Sequence, residues 1–523
     1  METKQNLQKL EKYQEAEQQP IVVPVVQDDS CCSKVMRVIR NISVEPTMFL
    51  YMMAFMLTNV VEQVFFVYKA CRVDHGYDED ICRNIEKFEN IKKEVQKTVS
   101  LFHQWDSIAG HIIPIFLALF LGAWSDKRGR KLPLIMGLTG KLVYSLMIVI
   151  NAYQPNWPLN YVIYTATIPS ALLGADVAIF ASCFAYIADI TTVQNRTLRI
   201  TILDAAYLLT MPTGVAIGKE LYNNVFDKSF GAMFACNVSL MLLSIIYSLV
   251  FLKWQTTESQ RPISEIGYLN IFADFFDKNH AIRSFKTVLK KRPEKRRMYI
   301  LMILVAMGFY TFQRDERNML YLYTQLKLDW NTDVFSNFRT YQSSAYVVMM
   351  MVGIPIMTKV FKWSDCVLIM AGSISHAAGR VFFAFATSGW MMYVGATVAC
   401  LGPVTAPVVR SFMSKLVSSA ERGTLFAVLA VFDNAVPFIS ATLYSQLYNA
   451  TINDYPASIF WLTFASQVIV FSIFLTIQIS LRGRTLTQPQ VEDNTRAAIT
   501  DGGEGSSVGS ESPRIIEEVK VKL

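Results

Sequence analysis

Eight ionisable residues lie within long apolar stretches. Glu62, His111, Asp176, Asp204, His376, Arg380, Arg410 and Asp433 are flanked by apolar residues, and "QRDER" (313–317) interrupts another such stretch. A charge at the centre of a membrane-spanning helix costs about 2.5–3.5 kcal/mol on insertion scales, so these positions point to function. Two chemistries suit them. A carboxylate in apolar surroundings can carry a proton between an acidic and a neutral compartment. A guanidinium fork can hold a carboxylate-type anion bidentately. Arg410, three residues after Pro407, is the strongest anion-holding candidate, and its structural reading is a pair with an acid such as Asp433. His376 and Arg380 are four apart and share one helix face, which adds a second substrate-binding candidate, Arg380, and a proton-relay candidate, His376.

The elements that must position these groups follow from composition. Of 523 residues, 52% are hydrophobic and 17% charged. The apolar residues gather in runs of about 20, the length that spans a bilayer's hydrocarbon core. Twelve such runs are read, near 48–69, 101–121, 132–151, 161–187, 200–221, 232–251, 298–320, 341–361, 366–387, 391–414, 423–444 and 458–481. A polar segment ending in "KKRPEKRR" divides them into two sets of six. The expected organisation is an amino-terminal tail (1–47), a six-helix bundle (48–253), a linker (254–297), a second bundle (298–481) and a disordered tail (482–523). The segment 70–100 is read as a long polar loop. Two halves joined by a linker suggest a transporter built from repeats, with its site near the midplane.

Charge placement predicts orientation. Lysine and arginine concentrate in the even loops, as in "DKRGRK", "QNRTLR", "KVFK" and "SKLVSSAER", and in both tails beside the spans. Such loops face the cytosol, so both termini are expected there. The net charge of +7 is then mostly topogenic and argues against a nucleic-acid partner. Cys31 and Cys32 form a juxtamembrane pair, read as reduced thiols or palmitoylation sites. Cys71 and Cys82 share one loop and are open to bridging in an oxidising compartment. "NAT" at Asn449 is a glycosylation candidate in the last outward loop, whereas "NRT" at Asn195 should be cytosolic and unmodified. In the tail, "ESPRII" has the form of an acidic di-leucine sorting signal through Glu511, Ile515 and Ile516. No "HExxH", "GxSxG" or P-loop pattern is present, and "HQWD" (103–106) reads as a polar helix-entry turn, so an enzyme is not expected.

The stretch "GAWSDKRGRK" (122–131) matches the cytosolic motif between the second and third helices of the major facilitator superfamily, through Gly122, Asp126, Gly129, Arg130 and Lys131. In that reading Gly122 lets helices approach and Gly129 permits a tight turn. Asp126 suits a helix N-terminus, and Arg130 bridges to a carboxylate or to helix-end carbonyls. The longer strings "LGAWSD", "ADITTVQNRTLRITILDAA" and "APVVRSFMSKLVSSAERGTLFAV" resemble the proton-coupled folate transporter family, which includes lysosomal carriers of anionic conjugates and cell-wall fragments.

The resemblance spans about 48–481 and implies an all-α polytopic membrane protein with the twelve-helix facilitator fold. It implies proton-coupled symport of a small organic anion by alternating access, at the plasma or endolysosomal membrane, with protons and the lipid bilayer as partners and no cofactor or metal. It links Arg410 to substrate and proton binding. Asp204 stands where the folate transporter has a glutamate tied to proton coupling, and Asp176 lies one position from another family carboxylate, about 100° around the helix. Asp189 matches a family aspartate near the cytosolic end, where a structural ion pair is expected. Two departures stand out. The family's helix-seven histidine is replaced by Phe309-Tyr310, and the cysteine expected before Trp330 is Asp329, so Cys82 pairs with Cys71 or stays free. Folate, conjugate, cell-wall peptide and cyclic dinucleotide cargoes all stay open, as does a non-transporting sensor built on a carrier fold.

Overall fold

The computed structural model describes residues 42–481, apart from 192, 258–259, 263–264, 266–273, 277–289, 291, 293–294 and 418–421. Cys31, Cys32 and the sorting residues Glu511, Ile515 and Ile516 lie outside the described residues. Among the described residues all regular structure is helical. In the first half, α1 spans Glu45–Asp74, α2 Glu89–Arg128, α3 Lys131–Tyr153, α4 Ile163–Ile190, α5 Val193–Glu220 and α6 Phe230–Phe251. In the second half, α7 is two segments, Arg296–Thr311 and Gln313–Lys327. There follow α8 at Thr332–Val360, α9 at Asp365–Ala384, α10 at Gly389–Lys415, α11 at Arg422–Thr451 and α12 at Ser458–Leu481. Eleven of these are long and apolar enough to cross a membrane. The twelfth, α7, is interrupted at Phe312, just where "QRDER" begins. The expected all-α polytopic facilitator architecture of two six-helix halves is thus present.

The segment 70–100 is corrected from a loop to mostly helix. α1 continues through a wide turn at Ala70–Asp74, and α2 begins at Glu89, well before the expected 101. The reason is readable in the chain: Ile91, Val95, Val99 and Phe102 recur at helical spacing and form one packed face. Lys92 and Gln96 on the same extension are buried against α7. Cys71 and Cys82 form a disulfide with their Cα atoms 5.7 Å apart. The Asn449 sequon is not in the expected loop. The sequon lies in the last turn of α11 rather than in a loop, and the enclosed Oδ1 of Asn449 has no hydrogen-bond partner among the described residues.

The motif is helix as far as Arg128, and its turn is confined to Gly129 and Arg130. Gly129 has φ +105°, and a Cβ there would stand 2.3 Å from the Trp254 carbonyl oxygen, so glycine is required. Gly122 is a correction: a Cβ there would meet nothing within 4 Å, so it makes no close helix approach. Arg130 Nε donates to Asp189 at 2.9 Å, and its Nη2 pairs with the exposed Asp126. Asp126 thus serves this arginine rather than a helix N-terminus. Lys131 Nζ donates to the Leu249 and Leu252 carbonyl oxygens, both at 2.8 Å, closing the end of α6. The linker docks on the same surface, where Asp274 accepts from Arg128 Nε at 3.0 Å and Trp124 Nε1 at 3.0 Å. Those hydrogen bonds hold the Asp274 carboxyl below its ordinary range, the Arg128 bond contributing most.

The halves meet through α2 against α11 and α5 against α8. Hydrogen bonds between them gather at the ends of these helices away from the motif. Lys92 donates to the Gln325 carbonyl at 3.1 Å and to Asp329 at 2.6 Å. Gln96 donates to the Leu322 carbonyl and accepts from Tyr448. The hydroxyls of Ser100 and Ser445 meet at 2.9 Å, and Lys219 of α5 donates to Asn337 of α8 at 3.1 Å. The face carrying the first loop is therefore sealed.

Candidate functional site

Below the sealed face, a cavity of about 300 Å³ lies between the halves, lined mostly by α1, α2, α3 and α4 and, from the other side, by Arg314 and Asn318 of α7 and Asn434 of α11. Three carboxylates enter its wall. Glu62 of α1 accepts the hydroxyl of Tyr144, and Asp106 of α2 accepts that of Thr167 at 2.5 Å. Asp176 pairs with Lys141 of α3 at 3.0 Å and accepts the hydroxyl of Tyr51. Among the described residues no cationic nitrogen lies within 4 Å of Glu62 or Asp106. His111 also lines the wall and bonds through Nδ1 to its own helix at the Ser107 carbonyl. The wall is thus acidic on the amino-terminal side and carries a guanidinium, Arg314, on the other.

On the motif side of the cavity stands a second charged group. Arg410 Nη2 lies 3.8 Å from Asp433 Oδ2, and Thr311 donates to the same aspartate at 3.1 Å. The Arg410 charge also acts on Asp204 and Tyr207 of α5, across the interface. Neither Asp204 nor Arg410 lines the cavity itself. One guanidinium therefore answers to carboxylates from both halves.

A sequence profile described as the Major Facilitator Superfamily matches residues 88–441. The chain belongs to that superfamily. Among this facilitator's relatives, the lysosomal proton-coupled steroid conjugate and bile acid symporter SLC46A3 of Gallus gallus is 26% identical over 428 residues, covering 78% of this chain and 88% of the relative. The probable peptidoglycan muropeptide transporter SLC46 of Drosophila melanogaster is 22% identical, covering 79% and 80%. The proton-coupled folate transporter of Bos taurus is 24% identical, covering 78% and 86%. A solved D-xylose-proton symporter shares the fold with TM-score 0.59 at 13% identity, covering 84% of this chain and 98% of that one. These relatives are transporters, and this facilitator is a multi-pass membrane transporter rather than an enzyme.

The remaining candidates divide by position. The facilitator places Asp176 on the cavity wall, where Lys141 already engages it. Arg380, the second substrate-binding candidate, and His376, the proton-relay candidate, are off that wall. Arg380 is buried 2.9 Å from Glu316, which also accepts the Thr463 hydroxyl. His376 is enclosed against Gly402, whose absent side chain leaves room for the ring. Asp189 serves the motif through Arg130, with Thr256 and Gln260 of the linker also donating to it. Two wall residues escaped the sequence reading. Lys141 sits mid-helix in "GLTGKLVYS", a signal the rule for buried charges would have caught. Asp106 was assigned to a helix start, but α2 begins 17 residues earlier, which places Asp106 within the span.

Proposed function

We propose that this facilitator is a proton-driven carrier of small organic anions, working by alternating access with its motif face and both termini in the cytosol. The observation that supports this most is that Arg410 lies 3.8 Å from Asp433 of its own half while its charge is felt at Asp204 of the other. An anion arriving at Arg410 competes with these carboxylates. Protonating Asp204 removes one competitor, and the positive charge it adds offsets the charge of the arriving anion, so proton and anion enter together and the attraction between halves that opposes rocking weakens. Asp176, with Lys141 beside it, is the second proton-exchanging candidate. The relatives' names, which join proton coupling to folate, steroid conjugates and bile acids, agree with this cargo class, and the lysosomal one among them supports an endolysosomal membrane, with the plasma membrane as the alternative.

The test is uptake of a labelled anion panel (a folate, a steroid sulfate, a cell-wall peptide and a cyclic dinucleotide) into proteoliposomes under an acid gradient. Uptake should rise with the gradient. Asp204→Asn should keep anion exchange while losing gradient dependence, and Arg410→Ala should lower uptake by about tenfold or more. Uptake indifferent to pH, or surviving Arg410→Ala, would refute the assignment.

A further inference from the structure

We propose that Arg317, Arg339 and Arg380 form a second binding site, one that takes the oxyanion head of a carboxylate, sulfate or phosphate ligand on the carboxy-terminal side of the cavity. The three arginines come from α7, α8 and α9, and Arg339 feels the charges of both Arg317 and Arg380. One carboxylate, Glu316, pairs directly with the cluster, through Arg380. Counting Asp315, whose charge Arg317 also feels, leaves three guanidiniums against two carboxylates, a formal excess of one positive charge, while the neighbouring Arg314 is exposed and acts on Asp433 as well. A buried ion pair needs one cation for each anion, and surplus buried charge without a counter-ion is strongly destabilising. Structural pairing with Glu316 therefore accounts for Arg380 and leaves Arg317 and Arg339 unexplained.

The nitrogen atoms tell the same story. Arg339 spends its Nη1 on Gln342 at 2.6 Å, while its buried Nε has no partner. The buried Nη1 of Arg380 is likewise unsatisfied. Among the described residues no oxygen accepts a hydrogen bond from Arg317. Tyr346 of α8 lies within electrostatic reach of all three guanidiniums and brings a hydroxyl to the group. Guanidinium forks match planar or tetrahedral oxyanions through paired N–H donors, which a halide cannot engage in the same way. Arg317 lies one helical turn from Arg314 and adjoins Asn318, both on the cavity wall, so the site abuts the cavity.

The experiment uses the full-length chain in detergent micelles, with the melting midpoint followed as sodium sulfate replaces sodium chloride at constant ionic strength. Sulfate should raise the midpoint saturably. Arg339→Gln and, separately, Arg317→Gln should weaken that response by about tenfold or more. Both variants should melt no lower than the parent in the absence of sulfate, because each removes uncompensated charge. Arg128→Gln, in the linker contact, should respond as the parent does. A parent indifferent to sulfate, or Arg339→Gln and Arg317→Gln responding like it, would overturn the proposal. A second arm identifies the source of the oxyanion and rests on the carrier reading above. If the head belongs to the cargo, Arg339→Gln raises the half-saturating concentration of a steroid sulfate in proteoliposomes by about tenfold. If it is a resident inorganic anion, half-saturation is unchanged and added sulfate stimulates uptake. An intact sulfate response without acid-driven uptake of any anion would sink the proton-carrier reading and leave this site standing.

Discussion

Glu316 and Arg380 should not be equally costly to lose. Both side chains are almost fully buried, and they meet at 2.9 Å. Removing one member of a buried pair typically costs about 3–5 kcal/mol, because the other charge is stranded. Here the two strandings differ. In Arg380→Met the Glu316 carboxylate still has Arg339 within electrostatic reach and keeps the Thr463 hydroxyl. The methionine also retains an apolar stem beside Phe383, whose ring centre is 5.1 Å from the Arg380 guanidinium. Part of the penalty is recovered, leaving roughly 1–3 kcal/mol. In Glu316→Gln, Arg380 loses its direct carboxylate partner and Arg339 loses a carboxylate within electrostatic reach, and the full 3–5 kcal/mol is expected. The assay is the melting midpoint of each variant and of the double variant in detergent, in chloride and in sulfate. Glu316→Gln should melt lowest, the double variant should recover part of the loss, and sulfate should help Glu316→Gln most. Arg380→Met melting below Glu316→Gln, or both melting with the parent, would refute the charge accounting.

The two motif glycines should behave oppositely. Gly129→Ala forces a Cβ into the Trp254 carbonyl and a left-handed φ, and should cost roughly 1–3 kcal/mol and lower the melting midpoint, whereas Gly122→Ala, which meets nothing, should be silent. The linker contact should survive acid. Because the Asp274 carboxyl is held below its ordinary range, its pairing with Arg128 stabilises docking above that range. The contact is lost only as pH falls below about 4; protease sensitivity of the linker appearing between pH 5 and pH 7 would contradict this. Replacing Cys82 by serine opens a bridge between residues 11 apart, worth about 3 kcal/mol on the chain-entropy account. Hydrogen exchange should quicken around residues 70–88, and unchanged exchange there would refute a stabilising role for the bridge.

The fold was legible because its signal is long-range and redundant. Twelve apolar runs, a basic linker and basic even loops all point to the same architecture. What stayed hidden was local or pairwise. The helix between 89 and 100 is rich in lysine, and only its apolar positions at 91, 95 and 99, packed against the other half, show why it continues. Arg410 and Asp433 could be named as a pair, since both are charges in apolar runs, but the reach of Arg410 to Asp204 depends on how two halves close. The partner of Arg380 stayed hidden for a similar reason. The spacing of Arg380 from His376 was correct, yet a helix has several faces, and Glu316 lay on another helix with nothing in the sequence to join them. Lys141 and Asp106 were visible as residues and lost in the reading of their elements.

The distribution of bond types supports motion of the halves as units. Ties within the amino-terminal half are ionic and aimed at helix ends, as with Arg130 to Asp189 and Lys131 to the carbonyls of α6. Charge-assisted bonds of this kind are the stronger class. The seal between halves relies largely on neutral groups, with Ser100 meeting Ser445 and Gln96 meeting Tyr448. Each such bond contributes about 0.5–1.5 kcal/mol net, because water offers a nearly equal partner once the face opens. Lys92 and Lys219 are exceptions, but Asp329, the partner of Lys92, is largely exposed and the Lys219 bond to Asn337 is exposed too, which weakens both. Rigid halves joined by replaceable contacts allow the two access states to differ by only a few kcal/mol. On the carrier reading proposed above, a single proton at Asp204 or anion at Arg410 would then shift the balance between them.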